Sequence, residues 1–224
     1  MNRAYSRLIA VCSVVLLTSI VGAAQDFSKK YELAAGGHIN IHSVSGNVTI
    51  TGYNGNVVLV TAIKEGRDRD RVEVEDLSSG DRIDLRSRYP EHCNCNASIN
   101  FTVQVPRGVK YNFDKIGSAS GDIEIRGVAG EINGRSASGD VTVEDVEGNI
   151  AAASASGNVR VKAPADLDAE VEMSCTSGDL KTDFALAVNE PEHGAHRSAR
   201  GRLGSGSRVL KIRSSSGSVS LLRN

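Results

Sequence analysis

A glycine recurs at every ninth residue through the middle of the chain, and this spacing constrains the fold more than any other feature. The glycines of this run are Gly121, Gly130, Gly139, Gly148 and Gly157. In each nine-residue unit the third and fifth residues are mostly aliphatic, and the residue between them is mostly polar. Such alternation predicts a short strand with one buried face. A glycine at each corner permits a positive φ, which would let the chain turn there.

A doubled period is also visible, because Ser-Ala-Ser-Gly begins at Ser118, Ser136 and Ser154. The full unit is therefore eighteen residues long, which is enough for two strands and two corners. One unit alone cannot bury its aliphatic face, whereas stacked units bury a continuous one. We therefore predict an all-β, single-domain parallel β-solenoid. It is a flattened β-helix with about 18 residues per turn, and successive turns pair as parallel strands.

The eighteen-residue unit predicts which side chains superpose. One small inward site is expected to hold three alanines: Ala119, Ala137 and Ala155. The serines on either side of them are expected to form two ladders, and corner serines commonly satisfy backbone groups of turns. One outward row is expected to alternate in charge: Arg126, Glu144 and Lys162.

The repeat is interrupted twice. Residues 64–100 contain alternating strands around the turn Ser78-Ser79-Gly80-Asp81, which predicts an antiparallel hairpin excursion. Residues 189–207 have no periodicity and contain Pro191, several glycines and three arginines, so we expect a long flexible loop there. The final residues recover the repeat, and one domain is expected to span residues 25–224.

The N-terminal segment has the pattern of a secretory signal peptide. Arg3 and Arg7 precede an apolar run over residues 8–21, and small residues follow at 22–24. The run is shorter than the roughly 20 apolar residues of a membrane-spanning helix; a single uncleaved anchor is the alternative. We expect residues 1–24 to be removed, leaving an exported chain without a transmembrane span. Its location would be the periplasm, the outer surface or the medium.

Composition excludes some partners. The chain has 26 Lys plus Arg against 27 Asp plus Glu, so nothing in its charge points to nucleic acid. Aromatic residues make up 4% and Trp is absent, which argues against a stacking platform for bases or sugars.

The repeat itself carries no recognisable chemistry. Calcium-binding nonapeptide rolls need Gly-Gly-x-Gly-x-Asp runs, whereas each step here offers one glycine and one acidic or amide residue. No His or acidic partner recurs beside the serine ladders, and a nucleophilic serine needs a base within reach. We expect no catalytic residue, no metal and no cofactor.

Three cysteines remain in the expected mature chain: Cys93, Cys95 and Cys175. With the adjacent His92 they could form a zinc or copper site, but a disulfide is the expected fate of thiols in an exported protein. Cys93 and Cys95 could pair with each other, or one of them could reach Cys175. A basic segment around His193, His196 and Arg197 could bind an anionic surface or be a solvated linker.

The Ser-x-Ser-Gly-[Asp/Asn]-[Ile/Val] units resemble the bacterial putative-adhesin family of DUF4097-like β-solenoid domains. The matching segments are residues 118–123, 136–141, 154–159, 175–180 and 214–219. Their corner glycines are Gly121, Gly139, Gly157, Gly178 and Gly217. Residues 48–53, 57–61 and 101–106 also fit the family layout. The resemblance covers nearly all of the mature chain and brings no catalytic residues with it.

The resemblance implies a non-enzymatic protein of the cell envelope or surface, an adhesin or scaffold that presents a repetitive β-sheet surface. Its partner would be an envelope protein or a glycan. A carbohydrate-active β-helix enzyme is the first alternative, and it requires a groove with convergent acidic residues. An envelope-stress or signalling accessory protein is the second.

Overall fold

The computed structural model describes residues 26–189 and 196–224. The predicted signal peptide, Pro191 and His193 lie outside these residues. Regular structure in the described part is almost entirely strand, with one short 3-10 turn at Arg69–Arg71. None of the described residues form a helix long and apolar enough to cross a membrane.

The strands in the first half of the chain are β1 (Phe27–Tyr31), β2 (His38–Ser45), β3 (Val48–Tyr53), β4 (Val58–Glu65), β5 (Glu73–Asp76), β6 (Arg82–Arg88), β7 (Ser98–Pro106), β8 (Lys110–Ser120) and β9 (Ile123–Arg126). Those in the second half are β10 (Ala129–Ser136), β11 (Val141–Glu144), β12 (Ile150–Ser154), β13 (Val159–Ala163), β14 (Ala169–Cys175), β15 (Leu180–Thr182), β16 (Ala187–Asn189), β17 (Arg197–Leu203), β18 (Val209–Ser214) and β19 (Val219–Arg223).

These strands form two sheets that face each other across one core. Sheet A has the order β1-β4-β7-β3-β9-β11-β13-β19-β15, and sheet B has the order β16-β17-β14-β18-β12-β10-β8-β2-β6-β5. A turn of the coil is one strand of sheet B, a Ser-x-Ser-Gly corner, and one strand of sheet A. The predicted parallel β-solenoid is confirmed.

The eighteen-residue register is confirmed in the centre of the coil. Val141 lies opposite Ile123 on one side and Val159 on the other. All three side chains are buried, as alternation of aliphatic and polar residues requires of a strand packed on one face. The core is therefore a set of aliphatic columns that run along the stack.

The stacking order departs from the chain order at both ends, contrary to the expectation that successive turns pair. The last turn, β18–β19, lies between the turns β12–β13 and β14–β15. Likewise, the early turn β2–β3 lies between β6–β7 and β8–β9. Every turn carries the same aliphatic columns, so the hydrophobic pattern allows each to occupy any position in the stack.

Antiparallel strands close the two ends of the stack. At the N-terminal end, β5 and β6 form the predicted hairpin, and β6 also pairs in parallel with β2. At the other end, β17 pairs antiparallel with β14 and β16. The prediction of a loop over residues 189–207 is therefore wrong for Arg197–Leu203. The sequence did not reveal this strand because Ala199 is its only buried side chain, so it carries no hydrophobic alternation.

Candidate functional site

The first serine of each Ser-x-Ser-Gly corner points into the coil. Its hydroxyl donates a hydrogen bond to the carbonyl oxygen of the corner glycine in the neighbouring turn, at 2.7–3.1 Å. The serines that do this are Ser118, Ser136, Ser154 and Ser214. A buried hydroxyl needs such a partner, so these serines belong to the scaffold.

The expected inward site for Ala119, Ala137 and Ala155 is wrong, because all three are exposed at the corner crest. The corner needs a hydrogen-bond donor on its inner side, and serine supplies one where alanine cannot. The second serines, such as Ser138, are exposed as well.

The acidic or amide residue after each corner glycine forms a second ladder. Its side-chain oxygen accepts a hydrogen bond from the backbone N–H of the equivalent residue one turn along. Asp140 N donates to Asp122 at 2.8 Å, and Asn158 N donates to Asp140 at 2.7 Å. The oxygens that a calcium roll would use are therefore committed to the backbone. The described residues contain no group of three or more His, Cys, Asp or Glu able to hold a metal.

Gly130 and Gly148 have the expected positive φ, of 128° and 155°, but four of the Ser-x-Ser-Gly corner glycines are needed for a different reason. Gly121, Gly139, Gly157 and Gly217 do not have positive φ. A Cβ on Gly139 would instead clash with the carbonyl oxygen of Gly121. Of the five corners named from the sequence, Gly178 alone has a positive φ, of 156°. Glycine is thus required by the close approach of stacked backbones.

The three cysteines are separated in the structure. Cys93 and Cys95 are joined by a disulfide, with their Cα atoms 5.1 Å apart. Cys175 is a buried free thiol at the end of β14, in the register position that Ser214 occupies on β18. Burial raises the pKa of the Cys175 thiol. Cys175 thus takes the place of a ladder serine, with its Sγ 3.5 Å from the carbonyl oxygen of Gly178.

The outer face of sheet A carries the predicted charge row. Glu144 accepts ion pairs from Arg126 at 3.2 Å and from Lys162 at 2.8 Å. Hydrogen bonding by Lys162, more than any other cause, lowers the pKa of the Glu144 carboxyl. The positive and negative charges of this row therefore pair with one another, as expected on a solvated sheet surface with alternating charges.

The outer face of sheet B differs from that of sheet A, because small side chains on it leave open space between longer ones. Ala151 and Ala153 on β12 face outward between longer side chains of β10 and β18. Two adjoining depressions of about 620 and 330 Å³ share Val209 and Lys211 in their walls. Together they extend from β17 to β8. The other charged side chains around them are Asp114, Glu131, Glu170, Glu172, Arg200 and Arg202.

Three of the carboxylates on this face are held by local partners. Glu172 accepts hydrogen bonds from Arg200 at 3.2 Å and Arg213 at 3.0 Å. Asp114 lies 2.6 Å from His38 Nδ1, and Arg86 binds both oxygens of Asp84 at 3.1 Å. Carboxylate oxygens engaged in this way have to give up these partners before they can exchange a proton with a substrate.

The carboxyl groups with resolved pKa shifts show the same tendency. Hydrogen bonds that favour the ionised form outweigh burial in each of them, so that every shift is downward. These groups are Asp76, Asp84, Glu144 and Asp168. A glycosidase acid has a raised pKa, and none of these four carboxyl groups has one.

The family model described as Toastrack DUF4097 matches residues 103–222, which is more than half of the chain. The protein belongs to the DUF4097 family. A putative cell adhesion protein from Clostridium sporogenes has a similar fold, with a TM-score of 0.62 and 11% identity over 88% of this chain and 99% of that chain. A putative adhesin from Bacteroides fragilis is 13% identical over 88% of this chain and 96% of that chain, with a TM-score of 0.29. No curated protein matches the sequence.

The residues singled out from the sequence of this DUF4097 protein do not converge on one site. The corner glycines lie along one edge of the coil, Cys175 lies in the core, and Cys93 and Cys95 lie in the segment between β6 and β7. Sequence reasoning missed the outer face of sheet B. Its outward Lys211 and Arg213 come to lie beside Ala151 and Ala153 only because β18 is inserted next to β12.

Proposed function

We propose that this DUF4097 protein is an exported, non-enzymatic binding or scaffold protein of the cell envelope or surface, with an adhesin-like role. The observation that carries the proposal is that the polar side chains of the coil fall into two groups with different roles. The polar groups that recur in the repeat bind backbone atoms of neighbouring turns; they are the ladder serines and the Asp and Asn that follow the corner glycines. The side chains open to a partner lie on the outer faces.

Two further points support the proposal. The C. sporogenes protein with a similar fold is described as a putative cell adhesion protein, which is the role proposed here. The basic residues, apolar run and small residues of positions 1–24 have the order of a secretion signal. The outer face of sheet B is the proposed contact surface, because it combines open depressions with side chains of both charges.

The binding role explains the carboxylates better than the enzymatic alternative does. Glycoside hydrolysis needs one carboxyl group kept protonated beside a second that is ionised. Here Glu172 is shared by two arginines and Asp84 is held by Arg86 through both oxygens. Such groups fix the positions of the basic side chains around them, which is what a binding surface requires.

In-cell crosslinking of a C-terminally tagged full-length chain, followed by fractionation and mass spectrometry, tests the proposal. We expect recovery outside the cytoplasm and crosslinks to an envelope protein or glycan. Recovery in the cytoplasm, or the absence of any envelope crosslink, would contradict it. Release of reducing sugar from envelope polysaccharides by the purified protein would support the enzymatic alternative instead.

A further inference from the structure

One row of side chains crosses the outer face of sheet B in a single register. Arg213 on β18 lies beside Ala153 on β12, which lies beside Arg135 on β10. Arg135 in turn lies beside Gly117 on β8, and Gly117 lies beside His42 on β2. The long side chains therefore alternate with small ones, and the small residues leave gaps between neighbouring long side chains. We call these five residues the basic row.

Arg135 is the central cation of the basic row and has no carboxylate partner. Its Nε donates to the Asn133 amide oxygen at 3.1 Å, and it forms no ion pair with any described residue. Lys211 and Lys115, in the adjacent row on either side, likewise form no ion pair in the described part of the chain. The middle of this face thus has uncompensated positive charge in a protein whose formal net charge is −1.

At its β2 end the basic row has a side chain, His42, that can both donate and accept hydrogen bonds. His42 is half-buried, and desolvation is the main cause that lowers its pKa. The charge of Asp84 opposes this shift and those of Arg86 and Lys115 add to it, and the net effect is a lowered pKa. A neutral imidazole both donates and accepts hydrogen bonds. It is therefore suited to hydroxyl groups, whereas Arg135 and Arg213 are suited to carboxylates.

We propose that the basic row binds an acidic polysaccharide in which a carboxylate recurs on every second sugar; this inference rests on the proposed binding role. Arg213 and Arg135 are separated by two strand spacings, or about 9.6 Å, which is about the length of one disaccharide in an extended chain. Arg135 binds one carboxylate, and Arg213, whose Nη2 lies 3.0 Å from Glu172, binds the next through its remaining guanidinium N–H groups. The intervening sugars lie over Ala153 and Gly117, with hydroxyls near Asn133 and His42.

The surroundings of the basic row favour a single linear polyanion over a broad anionic surface. Glu131 and Glu170 line the depressions beside the row, and they would face the phosphates of a membrane pressed against the whole sheet. A narrow chain can follow the row and avoid them. Nucleic acid would gain little binding energy on this row, because the row has no aromatic side chain on which bases could stack.

Binding of the purified exported protein to immobilised hyaluronate tests this inference, since hyaluronate has one carboxylate per disaccharide. We expect binding that weakens as salt is raised. Arg135→Gln should weaken it about ten-fold or more, the loss expected when a charge-assisted hydrogen bond is removed. Ala153→Glu, which places a carboxylate between the two arginines, should abolish it. Dextran is the neutral control polysaccharide.

Arg160→Gln is the matched control variant, because Arg160 is also an exposed arginine in mid-strand but lies on sheet A. It should bind hyaluronate as the unmodified protein does, and circular dichroism should show all variants folded. Three results would overturn the inference: no binding to hyaluronate, equal weakening by both arginine variants, or binding only to phosphatidylglycerol vesicles. If in-cell crosslinking still finds an envelope partner, only the ligand class is wrong and the binding role stands.

Discussion

Replacing a corner glycine by alanine tests the stacking geometry that organises this fold. At Gly139 a Cβ would clash with the carbonyl oxygen of Gly121 in the preceding turn. The backbone there cannot yield freely, because Gly121 O also accepts the Ser136 hydroxyl at 3.0 Å. The neighbouring Asp140 N is tied to Asp122 at 2.8 Å as well. Relief of the clash requires the two turns to separate at this corner.

The expected cost of Gly139→Ala follows from what that separation breaks. Overpacking of a tight site costs about 1–3 kcal/mol, and leaving the buried Ser136 hydroxyl without its acceptor costs about 1–3 kcal/mol. We therefore expect a loss of about 2–6 kcal/mol in the free energy of unfolding. For a chain of this size that lowers Tm by roughly 4–24 °C.

Gly134→Ala is the matched control. Gly134 lies inside β10, and a Cβ there would meet Val141 Cγ1 at 3.7 Å, an ordinary contact. We expect this variant to be neutral or more stable by up to about 1 kcal/mol. Equilibrium urea unfolding of both variants, followed by circular dichroism, provides the measurement. Equal stability of Gly139→Ala and Gly134→Ala would refute the argument that backbone contact, and not turn conformation, demands glycine at the corners.

Three further outcomes are expected. Ser136→Ala should cost about 1–2 kcal/mol in urea unfolding because it removes a buried donor, whereas Ser138→Ala at the exposed crest should stay within about 0.5 kcal/mol; similar losses would contradict the assignment of the two serines. Asp76 is partly buried, which raises its pKa, but its hydrogen bonds, that from Lys29 foremost, lower the pKa to about 2. Its stabilisation, about 2 kcal/mol at most, is therefore present above pH 4 and lost as pH falls towards 2. The difference in stability between the unmodified chain and Asp76→Asn should shrink over that range, and Asp70→Asn, at a side chain that is 90% exposed, should show no such change. Maleimide labelling with peptide mapping should leave Cys175 unmodified in the folded protein and modify it after unfolding; rapid labelling of the native chain would contradict its burial.

The strands and their pairing in the centre of the coil were predictable because alternation and an eighteen-residue period are both local properties of the sequence. The order of the turns was not. Val171 and Met173 on β14 and Leu210 and Ile212 on β18 present equivalent aliphatic pairs. The hydrophobic pattern therefore accepts either strand beside β12, and the choice depends on how the chain returns through β16 and β17.

Polar corners were harder to interpret from sequence than apolar strands. The pattern Ser-Ala-Ser-Gly suggested that the small apolar Ala137 faces inward, but the buried position belongs to Ser136 because a carbonyl oxygen lies within reach. The role of Gly139 was attributed to φ, whereas it depends on the distance between backbones in different turns. A sequence does not contain that distance. The same limit hid the basic row, which spans strands far apart in the chain.

Site-specific photocrosslinking in cells tests most directly the claim that the coil is a scaffold and the outer face of sheet B its contact surface. A photo-crosslinking amino acid replaces Ala151 on the outer face of sheet B in one chain and Thr142 on the outer face of sheet A in another. The account predicts crosslinks to an envelope component from position 151 and few or none from position 142. Crosslinks of equal yield from both positions, or from position 142 alone, would contradict it.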